Sequence, residues 1–370
     1  MEITIKRNKE FKNIIKNISS IIDNNSIRPV LSCLSFNISD GVLNIIAANE
    51  IISINKIVDK TIYSSDQSGH FLVNGKVFEQ IISKTKGDEV TIKKTQDNSL
   101  YISSTESEYF VNLYVDSEFP RVNFNYPEDN IFEMKASSLS AAVKKTVFAA
   151  SEKDQRVILN GINVKIKDGT IIFSATDGFR ISRYSSSIEH AKDMSETIHV
   201  KAMREITKLV EPSSDLKISI TKEWLYVDDK GSVIKSKVID GIYPNLDRIF
   251  PKERLNSVTV NKTDILDMID RVMVISPFST EISIDLSNEQ MKIKNNQQQV
   301  GNAEVVKKNH TYEGKEENIS FSVNPRYILD AIKHIDGEDI RIDVNGTLKP
   351  IIISSSSDKH MFNLVQPLKV

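Results

Sequence analysis

A threefold internal repeat constrains this chain more than any other feature, because a repeated unit must fold the same way each time. Three segments share one plan: ITIKRNKEFKNIIKNISSII from Ile3, FEMKASSLSAAVKKTVFAAS from Phe132 and VTVNKTDILDMIDRVMVIS from Val258. Each reads as a short alternating strand, a polar N-cap region and an amphipathic helix. A second trio repeats the plan: VNGKVFEQIISKTKGDEVTI from Val73, VKAMREITKLVEPSSDLKISI from Val200 and VNPRYILDAIKHIDGEDIRIDV from Val323, with starts 127 and 123 residues apart. In each, a turn follows the helix and a period-2 strand follows the turn. The step from the opening valine to that strand is 17, 16 and 17 residues. Asp40-Gly41 and Asp168-Gly169, 128 residues apart, are hairpin signals with strand patterns on both sides.

The chain therefore divides into three repeats of about 120–130 residues with Pro-marked connectors at Tyr126-Pro127 and Pro251-Lys252. The expected domains are 1–126, 127–251 and 252–370, each of class α+β with two helices and mainly antiparallel sheet. A length of 370 residues, 39% hydrophobic and 26% charged, lets each domain bury a core. The opening MEITIKRNKEF lacks the apolar region of a signal peptide, and no run approaches the roughly 18 apolar residues of a membrane span. A cytoplasmic protein without membrane partners is the expectation.

Charge placement is more informative than the net charge of −2. Helix windows 8–22, 74–86, 137–150 and 201–210 each carry +2, window 324–334 carries +1 and window 262–274 carries −1. The helices thus hold +8 and the remainder −10. Helices sharing one surface would make a positive track for a phosphate backbone. The competing reading is ordinary solvation of exposed helix faces. No recognition helix or zinc-finger spacing suggests base reading.

Catalytic signatures are absent: no GxGxxG, no Walker loop and no HExxH. His70, His190, His199, His310, His334 and His360 are scattered without metal-ligand spacing. The single cysteine, Cys33, sits in an apolar run and reads as core. Asp177 lacks the partner aspartate that a phosphotransfer loop needs, so a turn role is expected. No catalytic residue, metal or cofactor is expected. Two alternatives from other classes are a metal-dependent nuclease or polymerase, which needs a carboxylate cluster, and a β-rich protein scaffold, which needs no positive helices.

FSATDGFRIS (173–182), DGIYPNLDRIFP (240–251), SVNPRYILDAI (322–332) and the terminal LVQPLKV (364–370) resemble, in order and spacing, the signature stretches of bacterial DNA polymerase III β subunits, the sliding clamps. The resemblance spans the whole chain and matches that family's three-domain design. It implies a head-to-tail homodimer closed into a six-domain ring, with sheets outside and twelve helices lining the hole. Such a ring encircles duplex DNA without reading sequence and tethers the replicative polymerase, raising its effective concentration at the primer end. It does no covalent chemistry. Its implied partners are DNA, the polymerase catalytic subunit, an ATP-driven clamp loader and repair proteins carrying a clamp-binding motif.

The resemblance also implies a pocket for partner peptides. Its residues here would be Leu159, Thr176, Gly178, Phe179, Arg180, Ile181, Pro244, Arg248, Ile249, Leu364, Val365, Gln366, Pro367 and Leu368. Apolar groups dominate, as a groove for Leu and Phe anchors requires. Phe179 stands where the family usually has His or Tyr, Gln366 replaces an apolar residue, and Val370 ends the chain where Leu or another apolar residue is common. Arg180 and Arg248 are expected at the rim. The 366–370 tail is expected to be a binding element more than a fold element. Candidates for the DNA-facing surface are Lys144, Lys145, Lys153, Lys201, Arg204 and Lys208. Tyr109, Val274 and Ile275 are the expected dimer seam.

Overall fold

The computed structural model describes residues 1–23, 26–115, 119–128, 131–189, 191–251 and 253–369. His190, Lys252 and Val370 lie outside them. The described residues form two compact units. One joins Met1–Leu139 to Lys201–Val238, and the other joins Ser140–Val200 to Ile239–Val370. Each unit combines a terminal repeat with part of the central one, because strands pair across the repeat boundaries.

The two trios of the repeat fall on strand-helix pairs throughout. The first places α1 (Asn8–Ser19), α3 (Ala136–Thr146) and α5 (Lys262–Met273) after strands Glu2–Ile5, Ile131–Lys135 and Asn256–Asn261. The second places α2 (Gly75–Lys84), α4 (Val200–Leu209) and α6 (Pro325–His334) after Gly69–Asn74, Met194–His199 and Asn318–Val323. The same cross-strand pairs recur. Ile3 opposes Ile92 and Ile5 opposes Val90. Phe132 opposes Ile218 and Met134 opposes Leu216. Val258 opposes Ile342 and Val260 opposes Ile340. All twelve are buried, so the alternating pattern sets one register in all three repeats.

Local chemistry fixes the helix ends. The Asn74, Asn261 and Asn324 side chains accept hydrogen bonds from the backbone N–H of Val77, Thr263 and Arg326, satisfying first-turn donors of α2, α5 and α6. Asp40-Gly41 and Asp168-Gly169 adopt the left-handed conformations of tight hairpin turns, as their sequences predict. Lys230-Gly231 makes a third such turn. There Asp228 accepts from the Gly231 N–H at 2.6 Å and stabilises a lysine with positive φ.

In the first unit the larger sheet runs in the order Gly69–Asn74, Cys33–Ser39, Val42–Ala48, Ile52–Ile57, Ser232–Ile239, Trp224–Asp229, Asp215–Ile220 and Ile131–Lys135. Helices α1 and α2 pack together, burying Phe11, Ile15 and Ile18 of one and Phe78 and Ile82 of the other. Phe36 stacks on Phe71 at 4.7 Å and meets the Phe78 edge at 5.0 Å. In the second unit the order is Met194–His199, Gly161–Lys167, Thr170–Thr176, Arg180–Ser187, Met361–Val365, Ile351–Ser354, Asp339–Val344, Asn256–Asn261 and Thr311–Gly314. A separate four-stranded sheet completes its core.

The repeats are joined by equivalent main-chain pairings. Ile52–Ile57 of the first repeat pairs antiparallel with Ser232–Ile239, the last strand of the second. Arg180–Ser187 of the second pairs antiparallel with Met361–Val365, the last strand of the third. The corresponding strands left over are Gly301–Lys307 of the third repeat and Ser107–Asn112 of the first. Among the described residues each has a neighbour on one side only, Met291–Gln297 and Ser99–Ser104 respectively.

Candidate functional site

The 176–180 turn is built by its own side chains. Asp177 Oδ1 accepts from the N–H groups of Phe179 and Arg180 at 2.9 and 3.1 Å. Thr176 Oγ1 donates to the Arg180 carbonyl at 2.6 Å and accepts from the Gly178 N–H at 3.1 Å. Gly178 has φ 93°, where a side chain would be strained. The turn presents Phe179 to solvent at 62% exposure. Beside it, Ile181 and Leu364 are register partners and pack with Leu246, flanked by Tyr243 and Phe250. Pro244 and Arg248 are exposed on the 243–250 segment. Ile249 closes its 3-10 turn, Leu246–Arg248, and is 42% exposed. The result is a shallow apolar floor with Ile249 and Phe179 standing beside it.

Several expected pocket residues are supports and not open surface. Leu159, Thr176 and Val365 are buried, and Val365 belongs to the core under α5 and α6. Arg180 is not at the rim. Its Nε lies 3.0 Å from Asp177 Oδ2, its Nη1 lies 2.6 Å from Asp330 Oδ2, and its side chain is 14% exposed. The guanidinium also sits 4.6 Å from the Tyr327 ring centre and 5.6 Å from that of Phe148. Two carboxylates and two rings therefore occupy the arginine, which leaves Arg248 as the exposed cation of the pair. The tail is likewise more tied down than its sequence suggests. The Gln366 N–H donates to the Phe179 carbonyl and the Leu368 N–H to the Ser322 carbonyl, both at 2.8 Å, and Pro367 is buried. The tail is a fold element as well as a neighbour of the site.

Sequence reasoning missed Leu246, Tyr243, Tyr327, Phe148 and Asp330. Leu246 and Tyr243 lie inside YPNLDRI, and Tyr327 and Asp330 inside VNPRYILDAI, so the signal was present without a geometry to interpret it. Asp247 was also passed over. Arg183 donates to it at 2.6 Å and holds its carboxyl below the usual carboxylate range.

Among the candidate DNA-facing cations, Lys144, Lys153, Lys201 and Lys208 are exposed and Arg204 is half-buried. Lys208 pairs with Glu205 at 2.8 Å. Lys145 is a correction. It is sealed between Asp358 and Asp336, with its Nζ 2.7 Å from Asp336 Oδ2 and 5.1 Å from the Tyr184 ring centre. Burial pulls its ammonium downward, but the bonds to the two aspartates outweigh that and raise it. Lys12 and Lys262 also look inward. They donate at 2.6 Å to the carbonyls of Thr85 and Ile335, capping the C-termini of α2 and α6. Three of the counted helix cations thus serve the fold.

Of the expected seam residues, Tyr109 is half-buried on the one-sided strand Ser107–Asn112. Its neighbour Phe110 is 71% exposed and lies 5.1 Å from Tyr101. Val274, just past α5, is exposed, Ile275 is half-buried and Phe278 is exposed. Among the described residues no group of three or more His, Cys, Asp or Glu could hold a metal ion, and no helix is long and apolar enough to cross a membrane.

Comparison with known proteins adds three family matches. The N-terminal, central and C-terminal domain models of the DNA polymerase III beta subunit match residues 1–123, 133–245 and 247–369. The chain is 25% identical over 380 residues to the beta sliding clamp of Bacillus subtilis, covering all of both chains. It is 26% identical over 376 residues to that of Mycoplasma capricolum, covering 99% of each. Crystal structures of the Bacillus subtilis sliding clamp and the Streptococcus pyogenes beta subunit superpose with TM-scores of 0.93 and 0.94. Their identities are 22% and 18%, over all of this chain and 99% and 100% of theirs.

The Lys145 cluster makes a stability prediction. Lys145→Ala strands Asp358, whose side chain is 5% exposed, and should cost about 3–5 kcal/mol in urea unfolding at neutral pH. Asp336 is held low by Lys145, so its contribution is present above the ordinary carboxylate pKa and lost as pH falls through the lower folded value. The raised Lys145 contributes below the ordinary lysine pKa and loses that contribution as pH rises through the higher folded value. The gap between wild type and variant should therefore be widest between those limits and narrow towards both. A gap independent of pH would contradict the ionic assignment.

Proposed function

The chain belongs to the DNA polymerase III beta-subunit family, the sliding clamps, and from that premise we propose that two copies close head to tail into a ring around duplex DNA. It is a non-catalytic replication subunit whose partners are DNA and the polymerase. The observation that carries the ring is the pair of one-sided strands. Two of three equivalent junctions are made within the chain, each by an inner strand of one repeat against the last strand of the next. The third would pair Gly301–Lys307 with Ser107–Asn112 of a second copy. Repeating that contact twice satisfies both edges on both chains and leaves none open to further addition. Tyr109 lies on one of these strands. Val274 and Ile275 follow α5, which packs against the other.

The helix that would come to this junction supports the same reading. In the two internal junctions, the first helix of one repeat meets the second helix of the next. Ser20, just past α1, bonds Glu205 of α4 at 3.0 Å, and Lys145 of α3 bonds Asp336 just past α6. The third junction would bring α5 to α2, the −1 window to a +2 window. The acidity of α5 then complements a partner helix. The exposed cations of the remaining helices, Lys144 and Lys201 among them, together with Lys153 and Lys208, supply the DNA-facing charge.

Residues 176–181, 243–249 and 364–368 make the docking pocket for a Leu/Phe-containing segment of the polymerase, and repair proteins carrying such a segment would use it too. Loading belongs to a separate ATP-driven clamp loader, since this sequence carries no nucleotide-binding loop. A subunit that acts on the chromosome works in the cytoplasm, at replication forks.

Four outcomes test this reading. The loaded protein should stay on nicked circular DNA in gel filtration and be lost once that DNA is linearised. Direct binding should be sequence-indifferent and fall linearly in log-log form with salt. A sequence-specific footprint would exclude it. Phe110→Asp, at an exposed position, should give a folded monomer by sedimentation velocity, because a charge at the seam costs several kcal/mol to bury. A persisting dimer would remove Ser107–Asn112 from the interface. Ile249→Ala should weaken a Leu/Phe-containing polymerase peptide about tenfold with an unchanged melting temperature.

A further inference from the structure

We propose that Asp247 is a positioning residue for the peptide pocket: paired with Arg183 and Lys165, it fixes the rotation of the one-turn segment that carries Ile249. The inference rests on the pocket reading above.

The 243–250 segment does not lie flush on the sheet. A cleft of about 280 Å³ opens beneath it, lined by Asn163, Lys165, Ser174, Arg183 and Ser195 on the sheet side. Few groups cross that gap. The Tyr243 hydroxyl donates to the Ser174 carbonyl at 3.3 Å. Leu246 plugs into Ile181 and Leu364. The Asp247 carboxylate takes the Arg183 Nη1 at 2.6 Å on one oxygen and lies 3.6 Å from the Lys165 Nζ with the other. The Arg183 guanidinium also sits 6.0 Å from the Phe250 ring centre.

Each attachment restrains something different. An apolar plug sets the depth of Leu246 but is non-directional. In a 3-10 turn successive residues are about 120° apart and i, i+3 eclipse. Ile249, whose N–H donates to the Leu246 carbonyl at 2.9 Å, therefore stands above Leu246 on the same side. Its place beside the pocket floor depends on how the turn is rotated about its axis. Asp247 is the directional group one step round that axis. The pair is half-exposed, with side-chain exposures of 54% for Asp247 and 26% for Arg183, so it is a weak tether suited to orienting a wall and not to holding a fold.

The test measures a fluorescent Leu/Phe-containing polymerase peptide on the full-length protein. The variants are Asp247→Asn, Arg183→Gln, the double variant and Ile249→Ala, with melting temperatures taken throughout. Each of the two single tether variants should weaken the peptide about three- to five-fold at low salt, the range of an exposed ion pair. The double variant should cost no more than Asp247→Asn alone, because the aspartate is the common partner of Arg183 and Lys165 and its loss already removes the Arg183 pair. Added salt should bring wild type down towards the variants. Melting temperatures should stay at the wild-type value. If Ile249→Ala weakens binding while the tether variants bind like wild type, the positioning inference is overturned and the pocket stands. Additive losses, or losses that track a fall in melting temperature, overturn it too. If Ile249→Ala binds like wild type, the pocket reading itself fails.

Discussion

Main-chain pairing across the repeat boundaries is the constraint on which the other features depend. A β-strand at a sheet edge exposes a row of unpaired donors and acceptors that must be covered, blunted or shared. Here Ile52–Ile57 and Arg180–Ser187 end their own repeats as edges and are completed by the last strand of the following repeat. The cores join because the sheets do. This is why the compact units cut through the central repeat instead of between repeats. It is also why the proposed peptide pocket would sit where it does. Ile181 and Leu364, which form its floor, are neighbours only because a strand from the second repeat pairs with one from the third.

Charge follows the same architecture. Positive helices in a chain of net charge −2 read first as one continuous track. The structure divides those cations into two groups. Lys12 and Lys262 come from the first helices of their repeats and cap the second helices. Each cancels carbonyls at a C-terminus that would otherwise lack partners. Lys145 neutralises Asp358 at a junction. The exposed cations that remain are fewer than +8 implies. In the proposed ring, a few dispersed lysines would attract phosphates without gripping any one of them, which suits sliding.

The sequence revealed whatever is local or periodic. Alternation placed the strands that carry Ile3, Phe132 and Val258 and those that carry Ile92, Ile218 and Ile342, while their pairing appears only in the fold, and Asp-Gly dipeptides placed two hairpins. The third hairpin was missed because Lys230 carries no turn signature; its positive φ is stabilised by Asp228 two residues earlier. The larger misreadings share one cause. Lys145 is paired with an aspartate 213 residues away and Arg180 with one 150 residues away. An exposed lysine and a sequestered one look alike until the chain is folded. Likewise the apolar tail reads as unanchored because its hydrogen-bond acceptors, the carbonyls of Phe179 and Ser322, belong to different repeats.

The burial of Arg180 changes what the proposed pocket would recognise. An arginine open at the rim would select acidic groups on a partner. Held by Asp177 and Asp330 and sandwiched between Tyr327 and Phe148, it offers a partner little unspent charge and acts as a rigid strut beneath the Phe179 turn. Selection then falls to shape and apolar contact, through the Ile181–Leu246–Leu364 floor, Ile249 and Phe179. Such a surface tolerates many partner sequences provided that they bring apolar anchors. Under the proposed reading, one site on a common platform would serve a polymerase and repair proteins in turn. Fine preference would come from how steadily the Ile249 wall is held, and that places the discriminating chemistry in the weak contacts behind the pocket as much as in the residues that touch the peptide.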